Sequence, residues 1–114
     1  MSSGPLLNLI QGYLKVATDR QQVIAANMAN VDTPGYHTRD INFQAALREA
    51  MDNTTGQQLG TASVEVEGLP ERPDGNDVNI DRESMLLSQT QLQYQMGVQL
   101  IKDQFSTLLT AIKE

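Results

Sequence analysis

The chain has 114 residues, a net charge of −6, no cysteine and no tryptophan, and only 4% of its residues are aromatic. This length predicts a single domain, residues 1–114, and the absence of cysteine excludes disulfides and thiolate metal sites. So few aromatic residues disfavour a thick globular core, whereas an elongated helix pair needs only a stripe of Leu, Ile and Met.

The negative charge is local, because half of the 14 acidic residues lie within residues 65–83. The terminal segments are nearly neutral, and a nucleic-acid or anionic-membrane surface would need clustered Lys and Arg. No apolar run approaches the roughly 18 residues of a membrane span. The segment Met1–Val16 has neither a basic start nor a small-residue cleavage site, so a secretory signal is not predicted.

The first long helix is predicted over residues 5–31, with Ser3 as its cap and Pro5 in its first turn. Its apolar residues alternate at spacings of four and three, as in a coiled-coil seam, with interruptions at Arg20 and Asn27. The seam consists of Leu6, Ile10, Tyr13, Ala17, Ile24 and Val31. Pro34 and Gly35 then stop the helix, because they favour a turn.

Residues 32–81 are predicted to hold a turn, a short helix and a loop or small β segment. The short helix covers about residues 42–51 and has Asn42 or Asp40 as its cap. Residues 52–60 are polar and form a loop in this prediction. Valine and glutamate alternate in residues 64–67, which is a weak strand signal. Residues 69–76 are expected to form a turn or connector.

The second long helix is predicted over residues 82–113, with Asp81 as its cap and Glu83 in its first turn. Neither long helix can bury its apolar stripe alone, so the prediction is a mainly α fold in which the two pair antiparallel in a coiled-coil-like arrangement. The stripe of this helix keeps a strict four–three spacing through Leu87, Gln91, Tyr94, Val98, Ile101, Phe105, Leu108 and Ile112.

The polar face of the second helix is rich in glutamine. Lys102 and Asp103 are its only charged residues between Ser84 and Ile112. Burying amides costs less than burying charges, so we interpret this face as covered by other subunits; the alternative is an ordinary Gln-rich soluble helix. Gly97 indicates either the close approach of another helix or a tolerated exposed glycine.

The densest local motif runs from Ala26 to Tyr36. Asn27 and Asn30 share one face at the end of the first helix, where their amides can bond loop carbonyls or the last helical carbonyls. Small Ala25, Ala26 and Ala29 would let another helix come close. Residue chemistry alone favours the simpler interpretation, a polar helix cap followed by a turn.

No catalytic, cofactor or metal site is predicted, and no small-molecule substrate. His37 is the only histidine, and a lone loop histidine beside Asp40 makes a poor metal ligand set. The segment Asp74–Asp81 fails the register of a calcium loop and is better explained as a turn before a helix cap. No Gly-rich phosphate loop is present.

The asparagine-rich helix end followed by Thr33-Pro34-Gly35-Tyr36 resembles the signature of the flagellar basal-body rod and hook family. The similarity narrows to its proximal-rod members through residues 39–43, 75–83 and 92–97. Residues 21–24 also resemble those proximal-rod members. Only residues 52–74, which are short for that family, lie outside the resemblance.

The resemblance implies a structural, non-enzymatic role in motility, as a proximal-rod subunit in the periplasmic space. It implies export by the flagellar type III apparatus without a cleaved signal. The implied partners are other copies of the chain, other rod proteins, the ring–rod adaptor protein and the membrane-ring protein, with no nucleic acid. A free-standing coiled-coil adaptor or export-chaperone-like protein is the alternative.

Carried onto this chain, the family's turn motif falls on Asn27, Asn30, Thr33, Pro34, Gly35 and Tyr36. The first-helix assembly positions are the seam residues from Leu6 to Ile24. Those of the second helix are Leu87, Tyr94, Gly97, Val98, Ile101, Phe105, Leu108 and Ile112.

Overall fold

The computed structural model of the protein describes residues 4–52 and 62–113, and it confirms the mainly α prediction. The molecule is elongated, with principal extents of 66 × 27 × 19 Å. In chain order its elements are α1 (Gly4–Ala29), β1 (Arg39–Asp40), α2 (Phe43–Asp52), β2 (Val64–Glu65) and α3 (Ile80–Lys113). Within the described residues, neither long helix contains a stretch apolar enough to cross a membrane.

The two long helices pack antiparallel, as predicted. Asn27 near the end of α1 bonds Glu83 at the start of α3, and Leu6 lines the same groove as Gln104. Gly97 lies between these points, and a Cβ added there would stand 2.6 Å from Leu14 Cδ2. Gly97 therefore marks the close approach of α1, which is the first of its two predicted interpretations.

The face of α3 that packs within the chain differs from the predicted seam. On α1, Ile10, Ala17 and Ile24 are buried as expected, together with Val16. The buried positions of α3 are instead Glu83, Leu86, Thr90 and Gly97. This line is displaced by about one residue round the helix, because buried Glu83 and the missing side chain of Gly97 set which face meets α1.

Several predicted seam residues of α3 consequently remain exposed, whereas Leu87, Val98 and Ile101 are half-buried. Tyr94 is 40% exposed, Phe105 55% and Ile112 78%. Intrachain packing through this seam is a wrong prediction for Tyr94, Phe105 and Ile112, whereas the use of the seam in assembly stays a prediction. On α1, Leu6 is also 45% exposed.

The helix ends differ from the sequence prediction by one or two residues. α1 ends at Ala29 because the Asn30 amide already bonds the carbonyls of both Ala26 and Asn27 at 3.1 Å, which tightens the chain into turns. α3 begins at Ile80 and is capped by Asn79, not Asp81, since Asn79 Oδ1 accepts the Arg82 amide at 3.1 Å.

α2 is capped by Asn42, whose Oδ1 accepts the Ala45 amide at 3.1 Å. This decides between the two candidate caps. The other candidate, Asp40, instead forms a two-pronged ion pair with Arg20, at 2.9 and 3.1 Å.

A two-residue antiparallel ladder joins β1 to β2, with Arg39 opposite Glu65 and Asp40 opposite Val64. The strand signal at residues 64–67 is thus confirmed for Val64–Glu65, while β1 was not predicted. The predicted loop at residues 52–60 lies outside the described residues, apart from Asp52.

Candidate assembly site

Asn27 is a fully buried amide that uses its entire hydrogen-bonding capacity. Its Nδ2 donates to the Arg39 carbonyl at 2.7 Å and to Glu83 Oε1 at 2.5 Å. Its Oδ1 accepts the Tyr36 hydroxyl and the Arg39 amide, both at 3.0 Å. One side chain therefore ties the end of α1 to the following turn, to β1 and to the start of α3.

The Glu83 carboxylate is also fully buried, and its charge is compensated on several sides. Oε1 accepts the Thr38 hydroxyl at 3.1 Å in addition to the Asn27 amide, and Oε2 accepts Arg82 Nη1 at 3.0 Å. Its place in the first turn of α3 adds the favourable end of the helix dipole. A buried charge is tolerated when an opposite charge and hydrogen bonds satisfy it, and these bonds supply both for Glu83.

Asp77 extends this cluster to His37. Asp77 Oδ1 accepts the Thr38 amide at 2.6 Å, and its Oδ2 lies 3.2 Å from His37 Nδ1. The hydrogen bond to Asp77 is the main cause that raises the pKa of His37, and the charges of Asp77, Glu65 and Glu71 add to it against a smaller opposing effect of desolvation. The acids that face His37 are therefore Asp77 and, with Oε1 at 3.7 Å from Nδ1, Glu71, not the sequence neighbour Asp40.

Asn76 holds the turn after α1 against the segment before α3. Its Nδ2 donates to the carbonyls of Asn30 at 2.9 Å and Thr33 at 2.8 Å, and its Oδ1 accepts the Val78 amide at 2.8 Å. We call the five buried residues that join these segments the polar hub: Asn27, Thr38, Asn76, Asp77 and Glu83.

Two glycines shape the turns that contact each other after α1 and before α3. Gly35 and Gly75 both have positive φ angles, +74° and +83°, which side chains rarely adopt. The Gly35 amide donates to the Asp74 carbonyl at 2.9 Å, and a Cβ on Gly75 would lie 3.4 Å from Gly35 Cα. A contact at this distance is an ordinary one, so glycine is favoured at both positions by the positive φ angles and not by lack of space.

The structure brings the predicted turn motif together around the hub, but its members differ in burial. The predicted role as a polar helix cap applies to Asn30. Its Nδ2 donates to the Ala26 carbonyl at 2.8 Å, and its Oδ1 accepts the Thr33 hydroxyl at 3.0 Å. Asn27 is not such a cap, because its amide is fully buried and bonds other elements of the fold. Pro34 and Gly35 are exposed on the turn, and partial burial raises the pKa of Tyr36.

Sequence reasoning missed Thr38, Asn76 and Asp77, and it gave Glu83 only a helix-dipole role. Each of these residue types is common at turns and helix starts, so its spacing carries no sign of burial. The one available signal was position, because Asn76, Asp77 and Glu83 lie within the block 75–83 that carries the resemblance and Thr38 lies directly before the block 39–43.

The α3 surface away from α1 carries two apolar stripes on different faces. The first, which we call the outer stripe, is Met85, Leu92 and Met96, with exposures of 63, 58 and 56%. The second is the exposed remainder of the predicted seam, chiefly Tyr94, Phe105 and Ile112. Soluble monomers seldom leave extended apolar patches uncovered, so such stripes are typical of contact surfaces.

An open groove of about 440 Å³ lies between α1, α2 and α3. Packing of Tyr13 on Phe43, edge to face with ring centroids 5.2 Å apart, holds α2 against α1 and fixes one wall. Asp103 lies on the α3 wall. The apolar lining consists of Leu6, Leu9, Ile10, Tyr13, Leu47 and Leu100.

Comparison with known proteins gives a consistent result. A family model described as "Flagella basal body rod protein" matches residues 14–37, from the middle of α1 through the turn to His37. Flagellar basal body rod protein FlgB of Escherichia coli K12 is 33% identical, over 94% of this chain and 92% of its own length. The Aeromonas hydrophila FlgB is 33% identical over 90% of this chain and 89% of its own. FlgB of Salmonella typhimurium LT2 is 32% identical over 94% of this chain and 92% of its own length.

Proposed function

The chain belongs to the FlgB family of flagellar basal-body rod proteins, and we propose on this basis that it is a proximal-rod subunit that polymerises through its terminal helices. Membership makes it a structural component of the bacterial flagellar basal body that associates with other basal-body components. The alternative of a free-standing adaptor or export chaperone is not favoured, because the matching proteins are rod proteins.

The observation that carries the proposal is the apolar, charge-poor surface of α3. Met85, Leu92 and Met96 are each more than half exposed, although α3 already uses another face to pack on α1. When a neighbouring subunit covers such side chains, apolar area is removed from water, and this stabilises the contact by about 25 cal/mol per Å². The neighbouring glutamines can be desolvated at lower cost than charged residues.

The same proposal extends to location and partners. We propose that the chain acts as one rod-type domain in the periplasmic part of the basal body, after export through the flagellar type III apparatus. Its neighbours would be further copies, other rod proteins, the ring–rod adaptor protein and the membrane-ring protein. The resemblance of the two motif blocks to proximal-rod proteins supports these assignments.

Leu92→Glu on the outer stripe tests the proposal, because it places a charge in the surface that would be covered. In cells whose only copy carries this change, we expect loss of swimming, and electron cryotomography should show basal bodies without a complete rod. Val64→Glu is the matched control, since Val64 is 61% exposed on β2 and away from the helix pair.

Purified Leu92→Glu protein should keep the circular dichroism spectrum and unfolding midpoint of the unchanged chain, which separates assembly from folding. Normal rods and swimming in the Leu92→Glu strain would count against polymerisation through this face. Normal flagella after deletion of the gene would instead support the adaptor role.

A further inference from the structure

The groove between the three helices exposes apolar side chains that the described residues of the chain leave uncovered. Leu6 is 45% exposed and Leu100 52%, although both lie on the groove walls. The wall segments run from Leu6 to Tyr13 on α1 and from Leu100 to Thr107 on α3. Each spans about two helical turns, or roughly 11 Å, so the opening has the length of a short helical segment.

The last two turns of α3, residues 108–113, extend past the described part of α1, which begins at Gly4. Gly97 lies opposite Leu14, so in an antiparallel pair Thr107 lies opposite Gly4, the first described residue of α1. Beyond that point Leu108, Leu109 and Ile112 are 40, 57 and 78% exposed. We call residues 108–113 the tip.

We propose that the tip of one copy docks in the groove of a second copy. This inference rests on the proposed rod function and names one of its contacts. Tip and groove match in length, and both are predominantly apolar. A helix that lies in an apolar groove through residues three and four apart is a common mode of recognition.

Charge complementarity supports this occupant. Lys113 follows Leu109 by four residues, so it lies on the same side of the tip. Asp103 lies on the groove wall, and a docked tip would bring this cation towards that carboxylate. The pair would fix the direction of the tip more than it would add affinity.

The contact would also propagate. Tip and groove are different patches of one chain, so the interface is heterologous and leaves each docked copy with a free tip or a free groove. Such contacts build rings or open helical assemblies, which suits a rod subunit.

Cysteine crosslinking tests the contact cleanly, because the chain has no cysteine of its own. Two differently tagged copies, one with Leu47→Cys in the groove and one with Ile112→Cys on the tip, would be co-expressed in cells lacking the unchanged gene. Mild oxidation of isolated basal bodies should give a disulfide-linked pair containing both tags. Replacing Ile112→Cys by Leu92→Cys should reduce that product several-fold.

Basal bodies that contain both tagged copies but yield no more product than the control would overturn the tip–groove contact and leave the rod proposal standing. Absence of the tagged unchanged chain from basal bodies would overturn the rod proposal itself.

A charge exchange supplies a second measurement if the cysteine variants do not assemble. Asp103→Lys and Lys113→Asp should each reduce swimming, and the chain carrying both should recover it. Equal swimming by all three would also overturn the contact.

Discussion

The two ends of the α1–α3 pair have opposite chemistry. At the hub end, Asn27 and Glu83 are fully buried, and polar side chains and main-chain groups satisfy them within one chain. At the tip end, Leu100 and Ile112 are more than half exposed beside an open groove.

The two ends of the helix pair therefore serve different purposes, folding of the subunit and contact between subunits. A buried polar network tolerates few arrangements, since any displacement leaves a polar group unpaired, so the hub fixes how the chain folds on itself. Apolar surfaces are less directional and can remain exposed until a neighbour covers them. One end therefore determines the shape of the subunit, and the other is suited to contacts between subunits.

Asn27→Leu should give the largest loss of stability. It keeps the approximate volume but leaves the Glu83 carboxylate and the Arg39 peptide groups without their partner, at a cost of about 3–5 kcal/mol. Urea unfolding of the isolated chain measures the change. The matched control is Asn30→Leu, whose lost bonds lie at the surface and should cost about 1 kcal/mol. Equal losses in the two variants would contradict a hub that governs folding.

Gly97→Ala tests the middle of the pair and should have the next largest effect. The added Cβ would meet Leu14 Cδ2 at 2.6 Å and Tyr13 Cδ1 at 3.1 Å. Overpacking costs about 1–3 kcal/mol, of which the better helix propensity of alanine recovers about 1 kcal/mol. In a Leu14→Ala background the penalty should shrink, because only the contact with Tyr13 remains, as a double-mutant cycle would show. An equal penalty in both backgrounds would place the strain elsewhere.

The His37 interaction makes the hub end pH-dependent to a smaller extent. Because Asp77 raises the folded-state pKa of His37, its stabilisation is complete below the unfolded pKa of about 6.5 and is lost as the pH rises through the folded pKa. The melting temperature should fall more between pH 6 and pH 9 for the unchanged chain than for His37→Gln. Parallel melting curves would exclude this contribution.

The smallest effect on folding is expected at the tip. Leu108→Glu combined with Ile112→Glu alters side chains that are 40 and 78% exposed, so the free energy of unfolding of the monomer should change by less than about 0.5 kcal/mol. Ile24→Ala, at a fully buried position, should by contrast cost about 2–5 kcal/mol. A large loss in the tip variant would show that the tip also supports the subunit's own fold.

Hydrophobic periodicity was sufficient to predict the helices and their antiparallel pairing, but it selected the wrong face of α3. The apolar seam through Tyr94 and Phe105 is the more regular of the two lines. The line that packs on α1 contains Glu83, Thr90 and Gly97, which a search for apolar residues passes over. The close approach at Gly97 and the bonds to Glu83 exist only once both helices are in place.

The candidate site was predicted in part. The segment from Asn27 to Tyr36 drew attention through its composition and its resemblance to a known family. The burial of Asn76 and Asp77 had no local signal, because their partners lie about 40 residues away in the chain. Likewise β1 consists of Arg39 and Asp40, which have little strand preference and pair only because β2 lies beside them.

The bond between Asn27 and Glu83 joins residues 56 positions apart, so it closes the intervening chain into a loop. The entropy of closing such a loop depends on the logarithm of its length, and doubling the length costs only about 0.6 kcal/mol. Residues can therefore be gained or lost between α2 and β2 at little cost to the helix pair. The alignment with the Escherichia coli protein spans 127 residues against 114 in this chain, so it must contain gaps. Length variation between α2 and β2 is therefore compatible with an unchanged pairing of the two long helices.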